Sequence, residues 1–386
     1  MARIGPNTCR DQLAETGHEQ RDGDIGLIAA LGVDASRYPV LWEKTAPGDP
    51  AKPDLRWARA RLEALRDAGV EPIVTLLHHG SGPAHTSLVD PAFPEKFAAY
   101  AQAVARAFPW VRRWTPINEP LTTARFATLY GHWYPNAQSD AVFGQAIVNE
   151  ALAMQAAMRC IRAVNAGAQF VITEDLQSFT VLDERLAGYV AHKRERMYLS
   201  IDLMLGRVTE EHPLFAYLTG VAQVPVATLR LLAAEPTVPN LIGWNYYPNS
   251  ERVLDFDTGG TLRNRPARDV QPISPLPLLR AAHARLDLPF GFSEVHCNAD
   301  APGRVRWLQE RYGDLVSLAQ EGLPVCMIGA WAAFGLVDWD SLLLRRENYR
   351  EDGIYTFAAP HEEPRPTAVA AELHAIVRAQ RALSVT

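Results

Sequence analysis

Residues Arg112–Pro120 read RRWTPINEP, an apolar run that finishes on an amide, a carboxylate and a proline. A strand that ends this way is unusual, because an uncompensated carboxylate in a protein interior is expensive. Either Glu119 is a solvated loop residue or it faces a cavity that needs a charge. The same pattern recurs along the chain. RYPVLW carries Arg37 and Trp42, VTLLHH ends in His78 and His79, and VITEDL ends in Glu174 and Asp175. WNYYP carries Asn245, Tyr246 and Tyr247, FSEVH carries Glu294 and His296, and GAWAAFGLVDW carries Trp331, Asp338 and Trp339. Each run begins apolar and finishes with polar or aromatic side chains.

Between these runs lie helical patterns, among them DLRWARARLEALRDAG, PEKFAAYAQAVARAF and RVRWLQERYGDLVSLAQEG. Most end at a glycine just before the next strand, a common helix stop. Alternation of strand and helix predicts βαβ units on a parallel sheet. About seven strands are legible by this pattern. With no linker, repeat or composition break, the whole chain, residues 1–386, reads as one (β/α)₈ barrel domain. An open doubly wound sheet competes, but no GxGxxG or P-loop stretch supports it. Only ARIG is available for a first strand, so that strand is expected to be short or missing, and its open edges covered by another segment or a second chain. In a barrel the strand ends converge on one rim, where active sites sit. That answers the question raised by Glu119.

The remaining composition is that of an ordinary soluble protein. The chain has 386 residues, a net charge of −6 and 21% charged residues. The mild acidity argues against a nucleic-acid partner. The apolar run CMIGAWAAFGLV is too short to span a bilayer. The polar N-terminus lacks a secretory h-region, and the four cysteines are scattered. These features lead to an expectation of a cytoplasmic protein with free thiols, no membrane partner and no cofactor. Whether the chain forms a homo-oligomer is open. His78 and His79 with Glu174 raise a metal site as an alternative, but without HExxH or similar spacing none is expected. Any one of these polar ends is also explained as a loop residue or helix cap, and Glu174 and Asp175 fit a cap as well as a site role.

Glu119 and Glu294 stand out because two facing carboxyl groups with aromatic platforms and an amide are what glycoside hydrolysis requires. On these residues the chain resembles glycoside hydrolase family 1, the β-glucosidase-type barrels, from about Asp24 to Tyr355. The resemblance implies that Glu119 in the Asn-Glu-Pro motif is the general acid/base and Glu294 the nucleophile. Asn118 would bind the sugar 2-hydroxyl, and His78, Trp331, Asp338 and Trp339 would contact the glycone. Arg37, Asn245 and Tyr247 would support the nucleophile, with His79, Glu174 and His296 as further candidates. The substrate would be a small-molecule β-glycoside, cleaved with retention by carboxyl groups about 5–5.5 Å apart.

The departures are specific. Val295-His296 replaces the family's Asn-Gly after the nucleophile, Asp338 replaces a glutamate, and His79 is followed by GSGP. The first strand and its sugar-binding glutamine have no visible counterpart. The pattern is similar to a divergent branch of glycosidase-like domains found fused to sugar-nucleotide reductases. A sugar-binding domain with an altered site and a transglycosidase acting on a specialised metabolite both stay open as alternatives.

Overall fold

The computed structural model describes residues 1–267 and 273–383. An N-terminal hairpin pairs β1 (Ala2–Gly5) with β2 (Thr8–Arg10). The main sheet is parallel. It contains β3 (Ala35–Pro39), β4 (Glu71–His78), β5 (Arg113–Asn118) and β6 (Gln169–Asp175). After β7 (Ser178–Val181) come β8 (Leu241–Tyr246), β9 (Glu251–Phe256), β10 (Leu262–Pro266), β11 (Phe290–Val295) and β12 (Val325–Ala330). Seven of these strands form one curled sheet in the order β12-β11-β8-β6-β5-β4-β3. Strands β7, β9 and β10 form a separate three-stranded sheet over the C-terminal ends, with a small core of Phe179, Leu186, Val190 and Leu254.

The local causes are ordinary. Strand β4 is buried along most of its length and reads as a near-continuous apolar run, as a strand covered on both faces must. The helix Phe93–Ala107 buries Phe93, Phe97, Tyr100, Ala101 and Val104, a spacing that puts all five on one face. The helix-ending glycines anticipated from sequence adopt left-handed φ at Gly32 (74°), Gly69 (76°) and Gly322 (87°), where a side chain would be strained.

Among the described residues the barrel is not closed by hydrogen bonds. Strands β3 and β12 each have one sheet neighbour among the described residues, and a cavity of about 1340 Å³ runs between them. It extends from Asp34 and Gln380 at one end to His78 and Trp331 at the other. Its outer wall is apolar. Tyr312 and Leu315 come from the helix Ala301–Gln320, and Leu373, Ile376 and Val377 from the helix Ala368–Leu383. The first strand expected to be short is therefore the β1–β2 hairpin, and it lies outside the barrel sheet. It sits across the C-terminal mouth, where Arg3 donates to the Thr86 carbonyl at 2.9 Å and the Met1 ammonium to the His78 carbonyl at 3.4 Å. The open edges make a measurable difference. In hydrogen-exchange mass spectrometry, amides of β3 and β12 should exchange at least ~100-fold faster than those of β4 and β5, since edge strands open at lower cost. Equal protection would mean that the slot is closed in solution.

Candidate active site

Proline explains how the β5 end presents its carboxylate. Pro120 begins the helix Pro120–Thr128 and disfavours helical backbone in the residue before it. Glu119 takes the left-handed conformation (φ 46°, ψ 60°), rare for a residue with a side chain and costly by about 1 kcal/mol or more. That turn takes the side chain out of the strand's alternation while the Glu119 N–H still donates to the Thr173 carbonyl at 3.1 Å. The resulting carboxyl is buried and accepts from Asn245 Nδ2 at 2.5 Å.

Glu294, near the end of β11, is 1% exposed and lies in register with Asn245 of β8. Arg37 Nη1 donates to Glu294 Oε1 at 2.6 Å, and the Tyr247 hydroxyl donates to Oε2. The second arm of Arg37 reaches Asn118 Oδ1 at 2.6 Å, and Thr173 Oγ1 donates to the same oxygen at 2.9 Å. Ser293 Oγ holds Asn245 Oδ1 at 2.5 Å, which turns the Asn245 amide nitrogen towards Glu119. The network thus joins Arg37, Asn118, Glu119, Asn245, Tyr247 and Glu294 from four different strand ends. Two glycines clear space for it. A Cβ on Gly243 would come within 2.6 Å of the Ser293 side chain, and one on Gly329 within 2.4 Å of the Ser293 carbonyl.

The charges of the two glutamates are treated differently. Burial first, then the charges of Glu294 and Asp175, push Glu119 well above the usual carboxyl range, against the opposing bond from Asn245. Burial and the Glu294 charge also raise the Tyr247 phenol, so it stays a donor. Burial lowers both His78 and His79, the latter to about 3, so both rings are neutral.

An aromatic wall completes the mouth. Trp331 meets Tyr247 edge-on at 5.5 Å and Trp339 at 5.6 Å, and His79 lies 5.1 Å from Trp133. His78, His79, Arg37, Glu294, Trp331 and Trp339 all line the large cavity. Three candidates point elsewhere. Glu174 is buried beneath the site and accepts from the Leu121 N–H and Ser200 Oγ, both at 2.7 Å, so it caps the helix that follows Glu119. Its carboxyl is pushed up to about 7 by burial. His296 lies 3.4 Å from Glu351. Asp338 binds Arg10 at 2.9 Å and the Tyr349 N–H at 2.8 Å, so both its oxygens are engaged within the protein. Sequence reasoning missed Thr173, Ser293, Trp133 and Arg10. Ser293 stands directly before Glu294, a signal that was available. Trp133 sits in a loop and carried none. Among the described residues, no cluster of three or more His, Cys, Asp or Glu side chains is arranged to hold a metal.

The structure is a parallel α/β barrel with two buried glutamates at its C-terminal mouth, joined in one network with arginine, asparagine and tyrosine. The family model for glycosyl hydrolase family 1 matches residues 6–202, just over half of the chain. The chain belongs to that family. It is 32% identical over 126 residues to coniferin beta-glucosidase of Pinus contorta, a stretch covering 31% of this chain and 24% of that protein. It is 27% identical over 219 residues to Klotho of Rattus norvegicus, covering 53% of this chain and 21% of Klotho. The match therefore spans about a quarter or less of these relatives' own length. Among solved structures, a family 1 β-glucosidase from Thermotoga maritima superposes with a TM-score of 0.80 at 18% identity, covering 94% of this chain and 87% of that one. The likeness at this identity concerns the fold.

The raised Glu119 carboxyl has a consequence for stability. A carboxyl raised in the folded state stabilises the fold fully below its unfolded value, and this contribution is lost as pH rises through the folded value. Glu119→Gln, which keeps the oxygen that accepts from Asn245, should therefore raise Tm by a few degrees at pH 8. The gain should vanish below about pH 4, where the carboxyl is mostly protonated in the folded and unfolded chain alike. A Tm difference independent of pH would contradict a raised Glu119.

Proposed function

We propose that the chain is a retaining β-glycosidase in which Glu294 is the nucleophile and Glu119 the general acid/base. The observation that carries this reading is the unequal treatment of two neighbouring carboxyls. Glu294 accepts from a guanidinium and a phenol O–H, whereas Glu119 has a single amide donor and is raised well above the usual carboxyl range by burial and by the Glu294 charge. In the first step Glu294 attacks the anomeric carbon while the Glu119 proton passes to the leaving oxygen. In the second, Glu119 takes a proton from water, which attacks the same carbon and releases Glu294. Asn118 Oδ1 is held by Arg37 and Thr173 and its Nδ2 lies 3.4 Å from His79 Nε2, and in this reading Asn118 meets the 2-hydroxyl beside the reacting carbon.

Trp331 and Trp339 would offer stacking faces to the glycone, with His78 as a neutral hydrogen-bonding group, while the His79 ring nitrogens meet Thr123 and Asn118. Asp338 acts on recognition through Arg10 and the loop at Tyr349 rather than as a direct hydroxyl clamp. The outer hydroxyls of the glycone would then be held less tightly than by a glutamate aimed at the sugar. Thermotoga maritima β-glucosidase has been solved with deoxynojirimycin, a precedent for a sugar-shaped ligand in this fold. A second reading, sugar binding without turnover, is favoured by Asp338 and His296 being engaged with the protein. It is also in keeping with a probable inactive beta-glucosidase of Oryza sativa subsp. japonica among the relatives, 25% identical over 126 residues.

A panel of nitrophenyl glycosides separates the two. The wild type should hydrolyse at least one, and Glu294→Gln should lower kcat by several orders of magnitude while circular dichroism is unchanged. Glu119→Gln should slow poor leaving groups far more than 2,4-dinitrophenolate, which departs without a proton. Sugar binding with no turnover on any glycoside would establish the second reading.

A further inference from the structure

Three cations are buried together on the far side of Glu119 with little negative charge to answer them. Arg125, Lys193 and Arg196 are 4%, 8% and 8% exposed. Buried charges are normally paired, since the cost of taking them from water is large. Here, among the described residues, neither Lys193 nor Arg196 has a carboxylate within ion-pair distance. Arg196 reaches only the Tyr130 hydroxyl, at 3.4 Å. Lys193 Nζ lies over the rings of Tyr189 and Phe179, at 4.9 and 5.6 Å. Arg125 donates to Gln177 Oε1 at 3.2 Å and Thr122 Oγ1 at 3.1 Å, and its Nε is buried without a partner. Asp175, the nearest acid, stands 3.9 Å from Arg125 and is already occupied by Ser250 and Gln177, both at 2.6 Å.

The positive excess also appears in the neighbours. Burial would raise the Tyr130 phenol, yet Arg125, Arg196 and Lys193 bring it down to about 8. Burial, reinforced by Arg196 and Arg125, brings Lys193 down to about 8 despite Tyr130.

The position of the cluster relative to the chemistry is set by the fold. Arg125 lies on the helix that starts at Pro120, directly after Glu119, about 9 Å along the axis from Glu119 at 1.5 Å per residue. Gln177 bridges Arg125 to Asp175, whose charge acts on Glu119. Lys193 and Arg196 arrive on the helix Ala187–Arg196, which follows β7. The cluster is therefore linked to the acid/base residue through Gln177 and Asp175 and through the helix that starts directly after it. Arginine presents a planar fork suited to oxyanions, lysine a point charge, and Tyr189 and Tyr130 flank both with ring surface.

We propose that Arg125, Lys193 and Arg196 form an oxyanion site beside Glu119, which takes a carboxylate or phosphate carried on the leaving half of the substrate. This assignment to the leaving half rests on the two-glutamate glycosidase reading. An anionic leaving group would neutralise the cluster and be oriented by it, with the scissile oxygen directed at Glu119.

Two measurements on the intact chain test this. Titration calorimetry with inorganic phosphate should give binding in the wild type that is lost in Lys193→Gln and Arg196→Gln but kept in Arg196→Lys. With the glycone found active, the kcat/KM ratio of the 4-carboxyphenyl to the neutral 4-acetylphenyl glycoside should fall about tenfold in Arg196→Gln, the worth of one charge-assisted hydrogen bond. Taking the ratio cancels the intrinsic difference between the leaving groups. Absence of phosphate binding, or binding unchanged in both Gln variants, would overturn the site. Phosphate binding that depends on the cations, together with an unchanged ratio, would overturn the assignment to the leaving group. If no glycoside is cleaved, the glycosidase reading fails on that arm alone, and the phosphate arm still decides the site.

Discussion

Two buried carboxyl groups share one barrel mouth, and that constraint organises the surrounding structure. Two adjacent buried carboxylates cannot both ionise without a large electrostatic cost. Arg37 and the Tyr247 hydroxyl resolve this by binding Glu294, leaving Glu119 to burial and a single amide donor. The assignment depends on contributions from separate strand ends. Arg37 comes from β3, Asn118 from β5, Asn245 from β8 and Glu294 from β11. Losing one partner of the Arg37–Glu294 pair would strand a buried charge, typically a cost of about 3–5 kcal/mol. The site and the register of the sheet are therefore coupled. Gly243 and Gly329 show that coupling at atomic scale, since both neighbouring strands lack a side chain where Ser293 approaches.

The slot between β3 and β12 sets the opposite tendency. A barrel gains stability from having no edges, and this sheet retains two facing ones. Arg37 stands on one of these edge strands, and Trp331 directly follows the other. The most critical cation of the site thus sits on a strand paired on one side only, behind an apolar wall of two helices. The N-terminal hairpin compensates at the mouth rather than in the ladder, through Arg3 on the Thr86 loop and Arg10 on Asp338. Asp338 belongs to this bracing, which is why its side chain is held among backbone N–H groups and an arginine.

Buried charge of both signs surrounds the helix that follows Glu119. Burial raises Glu174 to about 7 against the opposing charge of Arg125, and burial and Glu174 together raise the equally buried Glu150. Arg125 also stands 3.9 Å from Asp175, whereas Lys193 and Arg196 have no carboxylate at ion-pair distance among the described residues.

Much of the architecture was legible in the chain itself. The alternation of apolar runs with amphipathic helices, stopped by glycines at left-handed φ, specifies a parallel α/β sheet because strand and helix burial follow local periodicity. The polar strand ends marked Arg37, Asn118, Glu119, Asn245, Tyr247 and Glu294, and a polar N-terminus announced the missing strand. Tertiary structure alone decided the rest. Glu174 and Glu119 look alike as carboxylates at strand ends, yet one caps a helix and the other joins the Asn245 network at the barrel mouth, where the left-handed turn at Glu119 takes its side chain out of the strand's alternation. Asp338 and His296 were drawn to partners far away in sequence, Arg10 and Glu351. The cation cluster joins residues from a helix after β5 and a helix after β7. Local pattern fixes which residues can reach a rim, but direction, pairing and net charge there depend on contacts between distant segments, which a linear reading does not contain.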